Sequence, residues 1–160
     1  MNYEENPFPP GDPDRHELWE MLVRRDIDAF LAADWSMVAG DFVADHFLGL
    51  HGHFLADPDS WRLAFPTVES YREEWLRQAA ETAGTAFAEP LREALFRATH
   101  LRDIDLRGER AVLHKKFDGR IRKADGTDLR LDWQTLYFCS KGDGRWRITG
   151  FVGYIPRRLG

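Results

Sequence analysis

The chain has 160 residues, 43% of them hydrophobic and 13% aromatic, which suffices for one sizeable core and offers no reason to divide it into two domains. Its formal charge of −5 comes with Lys and Arg scattered among acidic neighbours, so a phosphate backbone would meet no sustained positive field and no nucleic-acid partner is expected. No apolar run approaches the ~20 residues of a membrane span, no leader-like start is present, and a lone cysteine, Cys139, cannot form an intramolecular disulfide; the expectation is a soluble cytoplasmic protein with no membrane partner.

Residues 1–13 hold Pro7, Pro9, Pro10 and Pro13 around Gly11, a composition that reads as a flexible N-terminal tail. The single domain is expected over 14–156, with 157–160 a short C-terminal end. From Asp14, read as an N-cap with Glu17 following, apolar residues recur at Trp19, Leu22, Val23, Ala29, Phe30 and Ala33, the spacing of one helical face. Asp26 falls on that same stripe. It reads either as an ordinary carboxylate at the stripe edge or as a site candidate.

Asp34 opens a second helical stretch through Trp35, Val38, Phe42 and Val43, and Phe47 to His51 reads as a short strand. A turn-rich segment follows, with Asp57-Pro58-Asp59 and Phe65-Pro66, before Thr67 caps a helix carrying Val68, Tyr71, Trp75, Leu76 and Ala79 and ending at Gly84. Pro90 suits the first turn of a shorter helix through Leu95. Beyond it the period becomes two-fold, predicting antiparallel strands at about 96–106, 110–122, 128–140 and 145–155, joined at Gly108-Glu109, Ala124–Thr127 and Lys141–Gly144. With Gly142-Asp143 as a two-residue turn, Tyr137 would face Ile148, Trp133 would face Val152 and Cys139 would face Trp146. Leu136, Phe138 and Phe151 make the other face apolar as well, which implies helices on one side and more sheet or a second subunit on the other.

This order of elements, together with Ile27-Asp28-Ala29-Phe30, Asp105-Leu106-Arg107-Gly108-Glu109-Arg110-Ala111 and Gly144-Arg145-Trp146-Arg147-Ile148, resembles the nuclear transport factor 2-like superfamily, in particular its SnoaL-like bacterial branch. The resemblance covers roughly Asp14 to Pro156. It implies an α+β fold: a cone-shaped, curved antiparallel sheet covered by N-terminal helices and enclosing a pocket for a small hydrophobic molecule, with homodimers through the sheet common. Members include isomerases, dehydratases, cyclases and non-catalytic binding proteins, and no catalytic residue matches one branch position by position.

Of six histidines, a Gly108-Glu109 turn places His100 on the face of Ile104 and Leu106, opposite Phe117, and His114 opposite Asp103. His100 is thus the inward histidine, either a core residue bonded to backbone or a pocket acid/base. His51 and His53 project to one side if the short strand reaches that far, as an acid/base pair, as rim residues, or as two ligands of a metal site whose third ligand has no fixed spacing. Trp133 and Tyr137 are candidate cavity walls, and Gln134 replaces Trp133 beside Phe117 if the Ala124–Thr127 turn lacks a bulge. Trp19 on the first helix and Trp61 in the 57–71 segment, a candidate lid or part of the pocket mouth, complete the ligand-binding candidates.

No GxGxxG, GxxxxGK[ST], GxSxG or CxxC pattern occurs, so no cofactor is expected. The leading reading is a cofactor-independent acid/base enzyme acting on a hydrophobic substrate through His100, His51, His53 or Asp26; the alternative is a ligand-binding or protein-interaction module.

Overall fold

The computed structural model describes residues 2–157. Asp12 accepts from the Arg15 amide at 3.4 Å and Pro13 takes the first helical position, so the cap lies two residues before the expected one at Asp14, because proline's missing N–H costs nothing there. Asp14 and Glu17 are instead used across the core: Asp14 accepts from Trp146 Nε1 at 2.9 Å and Glu17 from the Trp146 amide at 2.7 Å. One continuous rod follows, made of α1 (Pro13–Trp19), a π-helical turn (Glu20–Arg25) and α2 (Asp26–Ala32). The proline-rich start lies against it: Phe8 packs on the core, and its carbonyl contacts His16 Nδ1 at 2.8 Å.

The stretch opened by Asp34 forms two 3₁₀ turns, Trp35–Met37 and Ala39–Asp41. Asp41 is 1% exposed and accepts from Arg25 at 2.9 and 2.7 Å and from Arg145, tying the rod to the last strand. Strand β1 (Leu48–His51) precedes β2 (Arg62–Phe65), and α3 (Val68–Ala83) begins at Thr67, whose side chain accepts from the Ser70 amide at 3.1 Å, and ends at Gly84. Then come α4 (Leu91–Ala98), β3 (Thr99–Arg107), β4 (Arg110–Arg122), β5 (Asp128–Gly142) and β6 (Arg145–Pro156).

The strands form one sheet in the order β2-β1-β6-β5-β4-β3, with β1 parallel to β6 and the other pairs antiparallel. The segment read as a candidate lid therefore supplies the edge strand β2. Bulges at Leu101/Asp103, Gln134/Leu136 and Phe138/Cys139 each add a residue on one side of a pair, which bends the sheet around the rod. The fold at its centre is a layer of helices on the concave face. Leu18, Met21, Leu22, Val23 and Ile27 pack there against Leu101, Leu113, Cys139, Trp146 and Phe151. Gly119 lets α4 approach β4, since a Cβ there would lie 2.7 Å from that of Ala98.

Candidate active site in the cone

Along β4 the inward phase runs Ala111, Leu113, Lys115, Phe117, and this alternation drives a lysine into the core. Lys115 is 1% exposed. Its Nζ donates to the Leu22 carbonyl and to Asp26 Oδ2, the latter at 3.1 Å, and sits 5.2 and 5.9 Å from the ring centres of Phe117 and Tyr137. A carbonyl in the π-turn, a carboxylate and two ring faces thus surround the ammonium. Asp26 is the first residue after the π-turn, a distortion that offsets the side chains following it from a regular α-helix. Its Oδ1 accepts from Trp75 Nε1 at 3.4 Å, and 36% of its side-chain surface stays open.

That open surface faces a cavity of about 360 Å³ lined by the rod, α3 and strands β3 to β6. Tyr71 of α3 and Tyr137 of β5 also line it, and neither hydroxyl has a hydrogen-bond partner among the described residues. Among the described residues no buried polar side-chain atom is sealed off without a partner, so both phenols open into the space. Burial pushes both hydroxyls well above the ordinary tyrosine range, and the neighbouring Asp26 carboxylate adds to the effect. At neutral pH they are donors. The remaining wall is largely aromatic: Phe117 stacks on Trp133 at 4.6 Å, and Trp133 on Tyr154 at 5.7 Å. Tyr154, held at φ +56° by the β5–β6 bulge, accepts from Gln78 Nε2 at 2.7 Å.

The arrangement offers one carboxylate to accept a proton, a fixed cation beside it, two neutral phenols to hold an oxygen, and a flat apolar wall to bind a ring. No family model and no curated protein matches the sequence. Solved structures do. A protein from Salmonella enterica described as of the nuclear transport factor 2-like superfamily superposes with a TM-score of 0.58 at 16% identity, over 94% of this chain and 96% of its own. A nuclear transport factor 2-like protein of unknown function from Pseudomonas putida gives 0.57 at 14% identity, over 91% and 88%. One from Shewanella baltica, likewise of unknown function, gives 0.53 at 12%, over 89% and 93%. The chain has the nuclear transport factor 2-like fold.

Within this nuclear transport factor 2-like cone, three of the candidates read from sequence converge: Asp26, Tyr137 and Trp133 all line the cavity. Trp133 lies opposite Phe117 because the Ala124–Thr127 turn carries an extra residue; Gln134 consequently points to the outer face, where it meets His114 and donates to the Pro156 carbonyl at 2.6 Å. His100 is a correction. Arg102 is the extra residue of the β3 bulge, so the register steps from Asp103↔His114 to His100↔Lys116, and Thr99 takes the place facing Phe117. His100 therefore stands on the outer face.

The last hairpin turns at Asp143-Gly144, one residue later than expected, and is bulged: Tyr137 faces Phe151, Cys139 faces Ile148 and Trp133 faces Pro156. Trp19 is core, 4% exposed against Phe96, and Trp61 donates to the Leu55 carbonyl at 2.9 Å outside the cavity. His51 and His53 stand next to the cavity without lining it. His51 stacks on Tyr154 at 4.1 Å, and its ring centre is 4.4 Å from that of His53. Among the described residues no group of three or more His, Cys, Asp or Glu side chains converges as a metal site.

Sequence reasoning missed Lys115 and treated Tyr71 and Trp75 only as a helical stripe. The available signal for Lys115 was its phase: it shares parity with Leu113 and Phe117 in a strand whose inward residues are otherwise apolar.

Proposed function

We propose that the cavity is a cofactor-independent acid/base site for a small, neutral, hydrophobic molecule that carries a ring and a carbonyl or hydroxyl oxygen. Asp26 takes a proton from the bound molecule and returns it at another position, so no electrons leave or enter. Tyr71 and Tyr137 donate to the oxygen on which charge develops, and Lys115 holds the carboxylate in place and offsets its charge. The observation that carries this reading is the convergence of the Asp26 carboxylate with two unpartnered, protonated phenols in one largely apolar cavity. The test is deuterium incorporation from D₂O, followed by proton NMR, into a panel of cyclic ketones and enones. Incorporation by the wild type that drops by at least ~100-fold in Asp26→Asn supports the assignment; incorporation unchanged in that variant refutes it.

A second reading, a non-catalytic binding protein, is favoured by one feature: both Asp26 oxygens already have donors, Trp75 and Lys115. It predicts saturable ligand uptake with the ligand recovered unchanged. The homodimer through the sheet stays part of the proposal. On the outer face Val112, Phe138, Gly150 and Leu48 form one register row, and Leu136, Val152, Leu50 and Leu63 another, with Leu48 and Leu63 50% and 53% exposed. Sedimentation should report a dimer that Phe138→Asp dissociates. A cytoplasmic location accords with Cys139 being a buried free thiol, pushed up by burial, while no helix among the described residues is long and apolar enough to cross a membrane.

A further inference from the structure

The turn that carries Phe54 adjoins the cavity at the side away from Lys115 in the aromatic wall. Two successive non-glycine residues, His53 and Phe54, adopt φ of +53° and +59°, a backbone region disfavoured for side chains with a Cβ, so the turn persists only while its contacts hold it. Four hydrogen bonds do so: Gly52 N to the Gly153 carbonyl at 2.7 Å, Phe54 N to the Tyr154 carbonyl at 2.8 Å, Leu55 N to the Gly52 carbonyl at 2.9 Å, and His53 N to His51 Nδ1 at 2.9 Å. The last is the only one of the four whose acceptor is an ionisable side chain. Phe54 stands edge-on to Trp133, Tyr154 and His51 at 6.3, 5.7 and 6.3 Å.

Phe54 and Trp133 are the two residues shared between the inner cavity and an outer recess of about 450 Å³ formed with Arg130, Asp132, Pro156 and Arg157. We propose that Phe54 is a gate between the recess and the cavity, latched by the hydrogen bond from the His53 amide to His51 and released when His51 takes a proton. The chemistry of release is direct. Nδ1 accepts only while it keeps its lone pair, and an imidazolium carries hydrogen on both nitrogens, so a donor would face a donor.

The surroundings hold His51 in the neutral, latched form. Burial lowers its affinity for a proton, and the adjacent His53 lowers it further, against an opposing pull from Glu74 of α3. Tyr154 of β6 stacks on the ring, and Arg62, its register partner on β2, turns its guanidinium to the Asp59 and Trp61 carbonyls. Because the latched state binds the proton less well than an open one, latching is complete above the ordinary histidine range of about 6.5 and is lost as pH falls below it. The inference rests on the cavity being a ligand site, whatever its chemistry.

The test uses prodan, a neutral solvatochromic naphthyl ketone, in stopped-flow mixing at pH 7.5 and 5.5, together with hydrogen exchange of the 53–55 amides corrected for intrinsic pH effects. Wild-type dye entry should be faster at pH 5.5 than at pH 7.5, with matching loss of amide protection at the lower value. His51→Asn, whose Oδ1 accepts at the Nδ1 position without titrating, should be slow and protected at both values, and Phe54→Ala fast at both. A pH-independent wild type, or a pH response retained in His51→Asn, overturns the gate. If prodan enters no variant, the ligand-site reading fails, and the amide protection still decides the latch: protection insensitive to pH in the wild type overturns it as well.

Discussion

Replacing Lys115 by methionine tests the centre of the site. The substitution keeps most of the side-chain volume and removes the ammonium, so the Leu22 carbonyl loses its donor and Asp26 its counter-ion. Breaking a fully buried pair from one side costs about 3–5 kcal/mol. Here the upper part of that range does not apply, because Asp26 keeps 36% of its surface open and retains Trp75 Nε1 at 3.4 Å, which lets water from the cavity stand in. An unsatisfied buried carbonyl adds about 1–3 kcal/mol, and retained packing by the methionine stem offsets part of the sum. The expected loss is about 2–4 kcal/mol, read as urea-midpoint and Tm shifts; at roughly 2–4 °C per kcal/mol for a chain of this size the Tm falls by about 5–15 °C. The double variant Asp26→Asn/Lys115→Met should lose about 1–2 kcal/mol less than the sum of the singles. Additivity within about 0.5 kcal/mol would refute the pairing on which the site is built.

Tyr71→Phe and Tyr137→Phe remove hydroxyls that bond nothing among the described residues, so stability by urea titration should stay within about 0.5 kcal/mol while affinity for an oxygen-bearing cavity ligand drops about tenfold. In alkaline titration at 295 nm, phenolate absorbance from Tyr71, Tyr137 and Tyr154 should appear only with unfolding, since burial raises all three. The sign follows: these groups contribute stability that is complete below the unfolded tyrosine range near 10 and is lost as pH rises above it. Asp41→Ala strips the shared acceptor from Arg25 and Arg145; both arginines remain partly exposed and can rehydrate, so a loss of about 2–3 kcal/mol is expected in urea unfolding. His100→Ala should leave cavity-ligand affinity unchanged within twofold by fluorescence titration, and a larger effect would contradict its outward placement.

Local rules in the chain made much of the frame readable. Thr67 and Gly84 bound a helix because a side-chain acceptor satisfies its free amides and a terminal glycine interrupts its continuation. Gly108-Glu109 set the first hairpin turn, and with it the His114–Asp103 pairing. Asp26 stood out as a carboxylate on an apolar stripe. The failures share a cause. A bulge changes parity, so the extra residue at Arg102 turned His100 outward, and the one at Ala124–Thr127 chose Trp133 over Gln134 for the inner face, a choice the chain left open; local propensity does not say where a sheet must bend. The expected lid became β2 because its partner, β1, is more than ten residues away in sequence.

The amino-acid sequence by itself determined the order of the long helices and of β1 and β3 to β6, most of their boundaries and the two-fold alternation of the strands, since caps, turns and periodicity act over a few residues. The tertiary structure decided which face of each strand looks inward. It joined Asp26 to Lys115 across 89 positions of chain and set both beside Tyr71 and Tyr137, because curvature and the packing of the rod against the sheet are collective and no short segment encodes them.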